Sequence, residues 1–270
     1  MASTDTQAEF VPQTDELLYE RRGAIAFLTF NRPQARNAMT WAMYEGLEAC
    51  CDHVERDDRV RVLVLCGAGD RAFVAGTDIS QFRAFSTPED ALAYERNNNR
   101  YASRLENVPK PTIAMIRGAC TGGGAAIAMC CDLRLASPDV RFGVPIARTL
   151  GNTLTTQNYV RLVALLGAAR AKELLFTARL LGAEEGRALG VFNEIVEPER
   201  LEARTLELAE QIAANAPLTL RAAKEAVRRI LERGRIEEAD DLILLCYMSE
   251  DFKEGVSAFL EKRAPRWKGR

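Results

Sequence analysis

Lys110–Cys131, KPTIAMIRGACTGGGAAIAMCC, is the stretch whose reading decides the fold. Thr112–Ile116 is a short, apolar, β-branched run that begins directly after Pro111, as a buried strand of a parallel sheet does. Gly122–Gly124 then breaks the run. Three successive residues without Cβ allow a sharp turn and let another molecule come close to the backbone. Ala125–Cys131 resumes as a helix. The first N–H groups of a helix lack intrahelical partners and lie at the positive end of its dipole, so they suit an oxygen that carries or develops negative charge. Such donors are half of an oxyanion hole. A triple glycine also serves plain strand-to-helix packing, and the motif alone does not choose between the two.

Working outward, the 270 residues suffice for one large domain, or for a domain with a smaller helical appendage. Apolar residues make up 47% and charged residues 27%, with a net charge of −2, which is ordinary for a globular protein and argues against a nucleic-acid partner. Met1–Asp15 is polar and acidic, so it is expected to be neither a secretory signal nor a membrane anchor, and no later run reaches spanning length. Residues 1–16 are read as a disordered lead. The seven cysteines are odd in number and form no CxxC, as expected of reduced core thiols in a cytoplasmic protein. The single histidine, His53, lies in a charged helical segment and reads as a surface residue, so zinc is not expected.

N-terminal to the central stretch, Ala24–Phe30 reads as a strand ended by Asn31-Arg32-Pro33. Thr40 is a plausible N-cap for a helix running through Glu55, and Arg61–Leu65 is the next strand. Gly67-Ala68-Gly69 with Ala72 imitates a dinucleotide fingerprint, but Ala72–Gly76 returns to an apolar segment instead of opening a helix, so that reading is rejected. Ala75-Gly76-Thr77-Asp78-Ile79 is a second glycine turn whose amides are expected to face the same ligand as those of Gly122–Gly124. Pro88–Asn107 reads as a polar helix. Beyond the stretch, Asp132–Ala136 and Arg141–Val144 read as strands, helices begin near Thr155, and Phe192–Val196 is a last strand. After Pro198 the pattern is helical throughout, over 201–214, 219–233, 236–248 and 251–262. That shift divides a mixed region, 17–198, from a helical region, 199–270. Strands alternating with helices call for a parallel sheet or spiral with right-handed crossovers. The apolar face at Leu242–Cys246 suits packing either on another subunit or on the chain's own core.

With these motifs in order, the chain resembles the crotonase superfamily, the enoyl-CoA hydratase/isomerase family, from about Leu17 to the C-terminus. The resemblance rests on Asn31-Arg32-Pro33 with Asn37-Ala38, VLVLCGAG with FVAGTDI, KPTIAMIRGACTGGG with CDLRLAS and RFGVP, and the closing AFLEKRAPRWKGR. It implies an α/β spiral of ββα repeats with a C-terminal α-helical trimerisation segment, assembled as a homotrimer or a dimer of trimers. It also implies a coenzyme A thioester as substrate, with no bound cofactor. In this family two backbone N–H groups hold the thioester carbonyl, and these carry over to Thr77 and Gly123, where they would stabilise an enolate. The adenine and phosphate end would lie along Arg36-Asn37-Ala38 and Ala75, Gly76, Asp78 and Ile79. Gly122 and Gly124 would also bind the substrate, and Lys262 or Lys268 would add positive charge.

The sequence departs from the family at one point of chemistry. A hydratase there uses two glutamates, which exchange protons with water and the substrate carbon, but the matching positions are Ala126 and Ile146. Ile146–Tyr159 is also about two residues shorter than the family's usual stretch. Asp78, Arg148, Thr149, Asn152 and Tyr159 are then the polar candidates for a substitute acid or base. Hydrolysis, decarboxylation or isomerisation of a thioester, a slow hydration, and acyl-CoA binding without turnover all remain open. Asp78 also suits a helix cap, and Cys120 suits packing, since no second histidine exists to activate it.

Overall fold

The structure is a computed structural model that describes residues 9–232, 244 and 247–266. Strands β1 (Leu17–Arg22) and β2 (Ile25–Phe30) open the fold as an antiparallel hairpin turned through Gly23 at φ 61°. The strand pairs β3 (Val62–Gly67) and β4 (Ala72–Val74), β5 (Thr112–Ile116) and β6 (Ala119–Thr121), and β7 (Leu133–Ala136) and β8 (Arg141–Gly143) follow, then β9 (Glu194–Ile195). Each pair sends its first strand to a six-stranded sheet ordered β1-β2-β3-β5-β7-β9 and its second to a three-stranded parallel sheet ordered β4-β6-β8. All pairings from β2 onward in the larger sheet are parallel. A helix follows each pair: α2 (Pro88–Glu106), α3 (Gly123–Cys130), and α4 (Ile146–Thr149) with α5 (Thr156–Thr177). This is the spiral of ββα repeats that the sequence leads one to expect.

The larger sheet is apolar on both faces, as a covered parallel sheet must be. Ala26, Leu28 and Phe30 of β2 point into the main core with Leu65, Phe73, Ile116 and Phe142. Ile25 and Phe27 point the other way, with Val62, Val64 and Ile113, onto Leu201 and Ala209 of α7 (Pro198–Ala213). Full burial of such side chains contributes about 1.5–3 kcal/mol each.

Cap chemistry sets the helix starts. Thr40 caps α1 (Trp41–Arg56) by accepting from the Met43 N–H at 3.2 Å. Thr87 and Asp90 form a capping box on α2. Gly167, at φ 73°, breaks the helical geometry within α5, and α6 (Ala183–Ala188) leads on to β9. At the C-terminal end, α8 (Pro217–Glu232) is pinned to the sheet by Lys224, whose Nζ reaches Asp132 at 2.8 Å. One side of α8 leaves Val227 58%, Ile230 67% and Leu231 42% exposed. Helix α9 (Glu250–Leu260) folds back so that Phe252 and Val256 pack with Tyr247 against Ile79, Phe82 and Leu150.

Two expectations need correction, and one strand escapes the sequence reading. The lead does not stay free through residue 16: Phe10 meets Tyr19 edge-on at 5.3 Å, and Glu16 pairs with Arg32 at 2.9 Å. His53 is not a surface residue, because Phe10 and Tyr19 cover its ring, and burial pushes its pKa down. β1 goes unread because LLYERR, with its alternate residues facing water, mixes charge into a strand. Leu242–Cys246, apart from Leu244, lies outside the described residues, as do Lys268 and most of 236–248. Among the described residues no helix is long and apolar enough to cross a membrane.

Candidate active site

The site begins with backbone stitching. The loop after β2 carries Arg36 and Asn37 at φ 51° and 55°, and the buried Asn37 amide donates to the carbonyls of Ala68 at 3.0 Å and Ala72 at 2.8 Å. This holds the loop against the turn between β3 and β4. The Met39 N–H then donates to Gly76 O, and the Asp78 N–H to Met39 O, both at 2.8 Å. In that parallel bridge between Met39 and Thr77 the flanking groups are used, so the Thr77 N–H points to the opposite side.

The second turn arrives from β6. Gly122 adopts φ 54°, ψ −119°, a conformation open in practice only to glycine. It leaves Gly123 as the first residue of α3, whose N–H has no partner within the helix. The two turns abut. A Cβ on Gly123 would lie 3.6 Å from the Thr77 nitrogen and 2.5 Å from the Tyr44 hydroxyl, while one on Gly124 would meet Val74 O at 2.1 Å. Neither the Thr77 nor the Gly123 N–H has an acceptor among the described residues. Two free N–H donors therefore sit side by side, one of them at a helix N-terminus.

They line a cavity of about 600 Å³. Arg36, Ala38, Ala75, Gly76, Thr77, Asp78, Ile79, Gly122 and Gly123 all border it. Gly124 does not; its lack of a side chain is a packing requirement against β4. Lys262 does not either, being exposed beyond the end of α9. Ala126 and Ile146 both border the cavity, and neither side chain can exchange a proton there. Of the substitute candidates, Asp78, Thr149 and Asn152 reach the cavity, whereas Arg148 is exposed away from it and the Tyr159 hydroxyl is engaged with Thr153 at 2.8 Å.

Asp78 is a cap. Its Oδ1 accepts from the Ser80 N–H at 3.1 Å and the Ser80 hydroxyl at 2.7 Å, and its Oδ2 pairs with Arg32 at 3.1 Å. Burial pushes this carboxyl up, but those hydrogen bonds outweigh it and hold it below its ordinary value. Cys120 is fully buried, its thiol pushed up by burial and turned toward Gly124 O, so it is no nucleophile.

The sequence reading missed the wall made by α2. Tyr94, Glu95, Asn98, Tyr101 and Ala102 follow helical spacing on one face and all border the cavity. Tyr44 and Tyr94 direct their hydroxyls at the Thr77 side chain, at 2.9 and 3.2 Å, and burial keeps both phenols neutral. Glu95 is 4% exposed. Its Oε1 accepts from the Tyr247 hydroxyl, which in turn accepts from the Asn152 amide at 3.0 Å. Burial pushes the Glu95 carboxyl up to about 7, against the opposing pull of Tyr247. The side-chain carbonyls of Asn98 and Asn152 are buried with no partner among the described residues. The readable signal was a Tyr-Glu-x-x-Asn-x-x-Tyr-Ala spacing on a helix otherwise rich in polar residues.

Comparison with known proteins agrees with this architecture. A family model described as enoyl-CoA hydratase/isomerase matches residues 20–270. The chain is 36% identical over 255 residues to the short-chain-enoyl-CoA hydratase of Clostridium acetobutylicum, covering 93% of this chain and 97% of that one. It is 35% identical over 253 residues to a crotonyl-CoA hydratase of Syntrophomonas wolfei, covering 92% and 96%. Among solved structures, a methylmalonyl-CoA decarboxylase in complex with 2-nitronate-propionyl-CoA is similar at a TM-score of 0.86 and 29% identity, with 95% of this chain and 99% of that one covered.

Proposed function

The chain belongs to the enoyl-CoA hydratase/isomerase family, and from that premise we propose that it acts on a coenzyme A thioester through its enolate. The observation that carries this reading is the pair of unpaired N–H groups, Thr77 and Gly123, side by side on one cavity. Removing a proton or a carboxylate beside a thioester drives negative charge onto the carbonyl oxygen. Fixed donors aimed at that oxygen stabilise it, at roughly 2.7–4 kcal/mol per donor in a well-studied hydrolase. The exposed Arg36 at the cavity edge suits the phosphate end of coenzyme A, beside Ala38 and the Ala75–Ile79 turn. No resident cofactor enters this chemistry.

Ala126 and Ile146 cannot transfer protons, so rapid hydration by a pair of carboxylates at those positions is not the expected reaction. Decarboxylation is a second reading. It produces the same enolate without a base, and a decarboxylase is among the similar solved structures. For assembly, residues 17–198 form the thioester-binding unit and residues 199–270 the oligomerising one, giving a homotrimer or a dimer of trimers. The exposed apolar face of α8 supports this.

The test is proton exchange. Butyryl-CoA incubated with the protein in heavy water is expected to lose its α-proton NMR signal, and malonyl-type thioesters are expected to release CO2 if decarboxylation is the reaction. Tight butyryl-CoA binding with neither outcome would make the protein a binder and overturn the enolate reading.

A further inference from the structure

We propose that Glu95, carried by α2, is the catalytic residue that takes and returns the proton at the carbon next to the thioester. The proposal rests on the enolate reading above and adds the group that performs the transfer. Among the described residues, the acids bordering the cavity are Asp78 and Glu95, and no histidine, lysine or cysteine borders it. Asp78 is held by Ser80 and Arg32. Arg36 and Arg141 carry guanidinium groups, which donate hydrogen bonds and offer no acceptor. The buried phenols of Tyr44 and Tyr94 stay neutral and make poor bases.

Glu95 fits the task on geometry. Only its Oε1 is occupied, by Tyr247; Oε2 has no donor among the described residues. Its neighbour in sequence, Tyr94, reaches the Thr77 side chain, so α2 sets the carboxyl on the same cavity as the two N–H donors. A carboxyl poised near neutral serves as both acid and base.

The step balances without any other reagent. The Glu95 carboxylate takes the α-proton, the C–H pair forms the enolate double bond, and the carbonyl π pair moves to the oxygen between Thr77 and Gly123. Return of the proton to the same carbon gives exchange. In an unsaturated acyl group, return two carbons further along shifts the double bond. A single carboxyl suffices for either outcome, which points to proton shuttling and not to addition of water. Tyr247 is a positioning residue, since it touches the carboxyl and not the reacting atoms.

The experiment follows butyryl-CoA exchange in heavy water as a function of pH, with butyryl-CoA binding measured alongside. In the wild type, exchange is expected to rise through a midpoint near 7. Glu95→Gln should lose about 10²–10⁴-fold in exchange with binding retained, and Glu95→Asp should recover part of it. Tyr247→Phe should keep the chemistry but move the midpoint to higher pH, because the hydrogen bond it removes favours the carboxylate. A merely structural role for Glu95 would not move that midpoint. Exchange undiminished in Glu95→Gln while the wild type exchanges would overturn the role of Glu95 and leave the enolate reading standing. Absence of exchange in a wild type that binds butyryl-CoA would overturn both. Where Glu95→Gln fails to fold, an unmoved pH midpoint in Tyr247→Phe would overturn the proposal.

Discussion

Glu95 destabilises the fold it serves. Its carboxyl is raised from 4.5 to about 7, so the folded state holds the proton more tightly than the unfolded chain does. The associated stability is present below pH 4.5 and is lost as pH rises through about 7. The size is about 3 kcal/mol, from the shift at 1.36 kcal/mol per pH unit. Urea unfolding at pH 5 and pH 8 should show this decline in the wild type and a flatter profile in Glu95→Gln, which keeps an acceptor for Tyr247. A second residue-scale prediction concerns Gly123. Gly123→Ala places a methyl 2.5 Å from the Tyr44 hydroxyl and should lower exchange about 100-fold by tilting its N–H donor. Tyr44→Phe in that background, which removes the obstructing oxygen, should restore part of the rate, whereas Tyr44→Phe alone should change it much less. At this scale the turns were legible, because Gly76 and Gly122–Gly124 announce themselves by composition. Glu95 was not: a charged residue on a polar helix ordinarily faces water. Its burial comes from Tyr247, 152 residues away in sequence, a contact no local pattern encodes.

Among the elements, α3 depends on a buried arginine. Arg134, 7% exposed, donates to the carbonyls of Ala128 at 3.1 Å, Cys131 at 2.7 Å and Val191 at 2.7 Å. It thus closes the C-terminal end of the helix whose N-terminus presents Gly123, with a positive charge at the negative end of the dipole. Arg134→Met leaves buried carbonyls unpaired at about 1–3 kcal/mol each, so a loss of at least ~3 kcal/mol is expected in thermal or urea unfolding. Exchange activity should fall in the surviving folded fraction as α3 loosens. Element boundaries were mostly legible: β5 spans Thr112–Ile116 as its β-branched run predicts, and Thr40 caps α1. Arg134 looked like an ordinary strand residue in CDLRLAS, and its role depends on the folding of Val191 onto the same spot.

For the molecule as a whole, α8 exposes Val227, Ile230 and Leu231 along one side, the face proposed above to meet another subunit. Val227→Glu with Ile230→Glu should convert the proposed trimer or hexamer to smaller species by light scattering. Far-UV dichroism should stay unchanged, since neither residue belongs to the buried core. The layered spiral was legible from the alternation of elements. The return of α9 over the cavity was not, because its apolar stripe suits its own subunit as well as a neighbour.

The separation between Glu95 and Tyr247 has a consequence for the order in which the protein is made. A ribosome reaches α2 early and adds the phenol that steadies its carboxyl 152 residues later. At roughly 5–20 residues per second, this takes about 8–30 s. Through that interval the growing chain carries the acid and in time the Gly122–Gly124 turn, but not the phenol that hydrogen-bonds the acid. The Glu95 carboxyl of an incomplete chain therefore lacks this cover, and the burial that raises its pKa is complete only once synthesis has reached Tyr247 and the C-terminal segment has folded back.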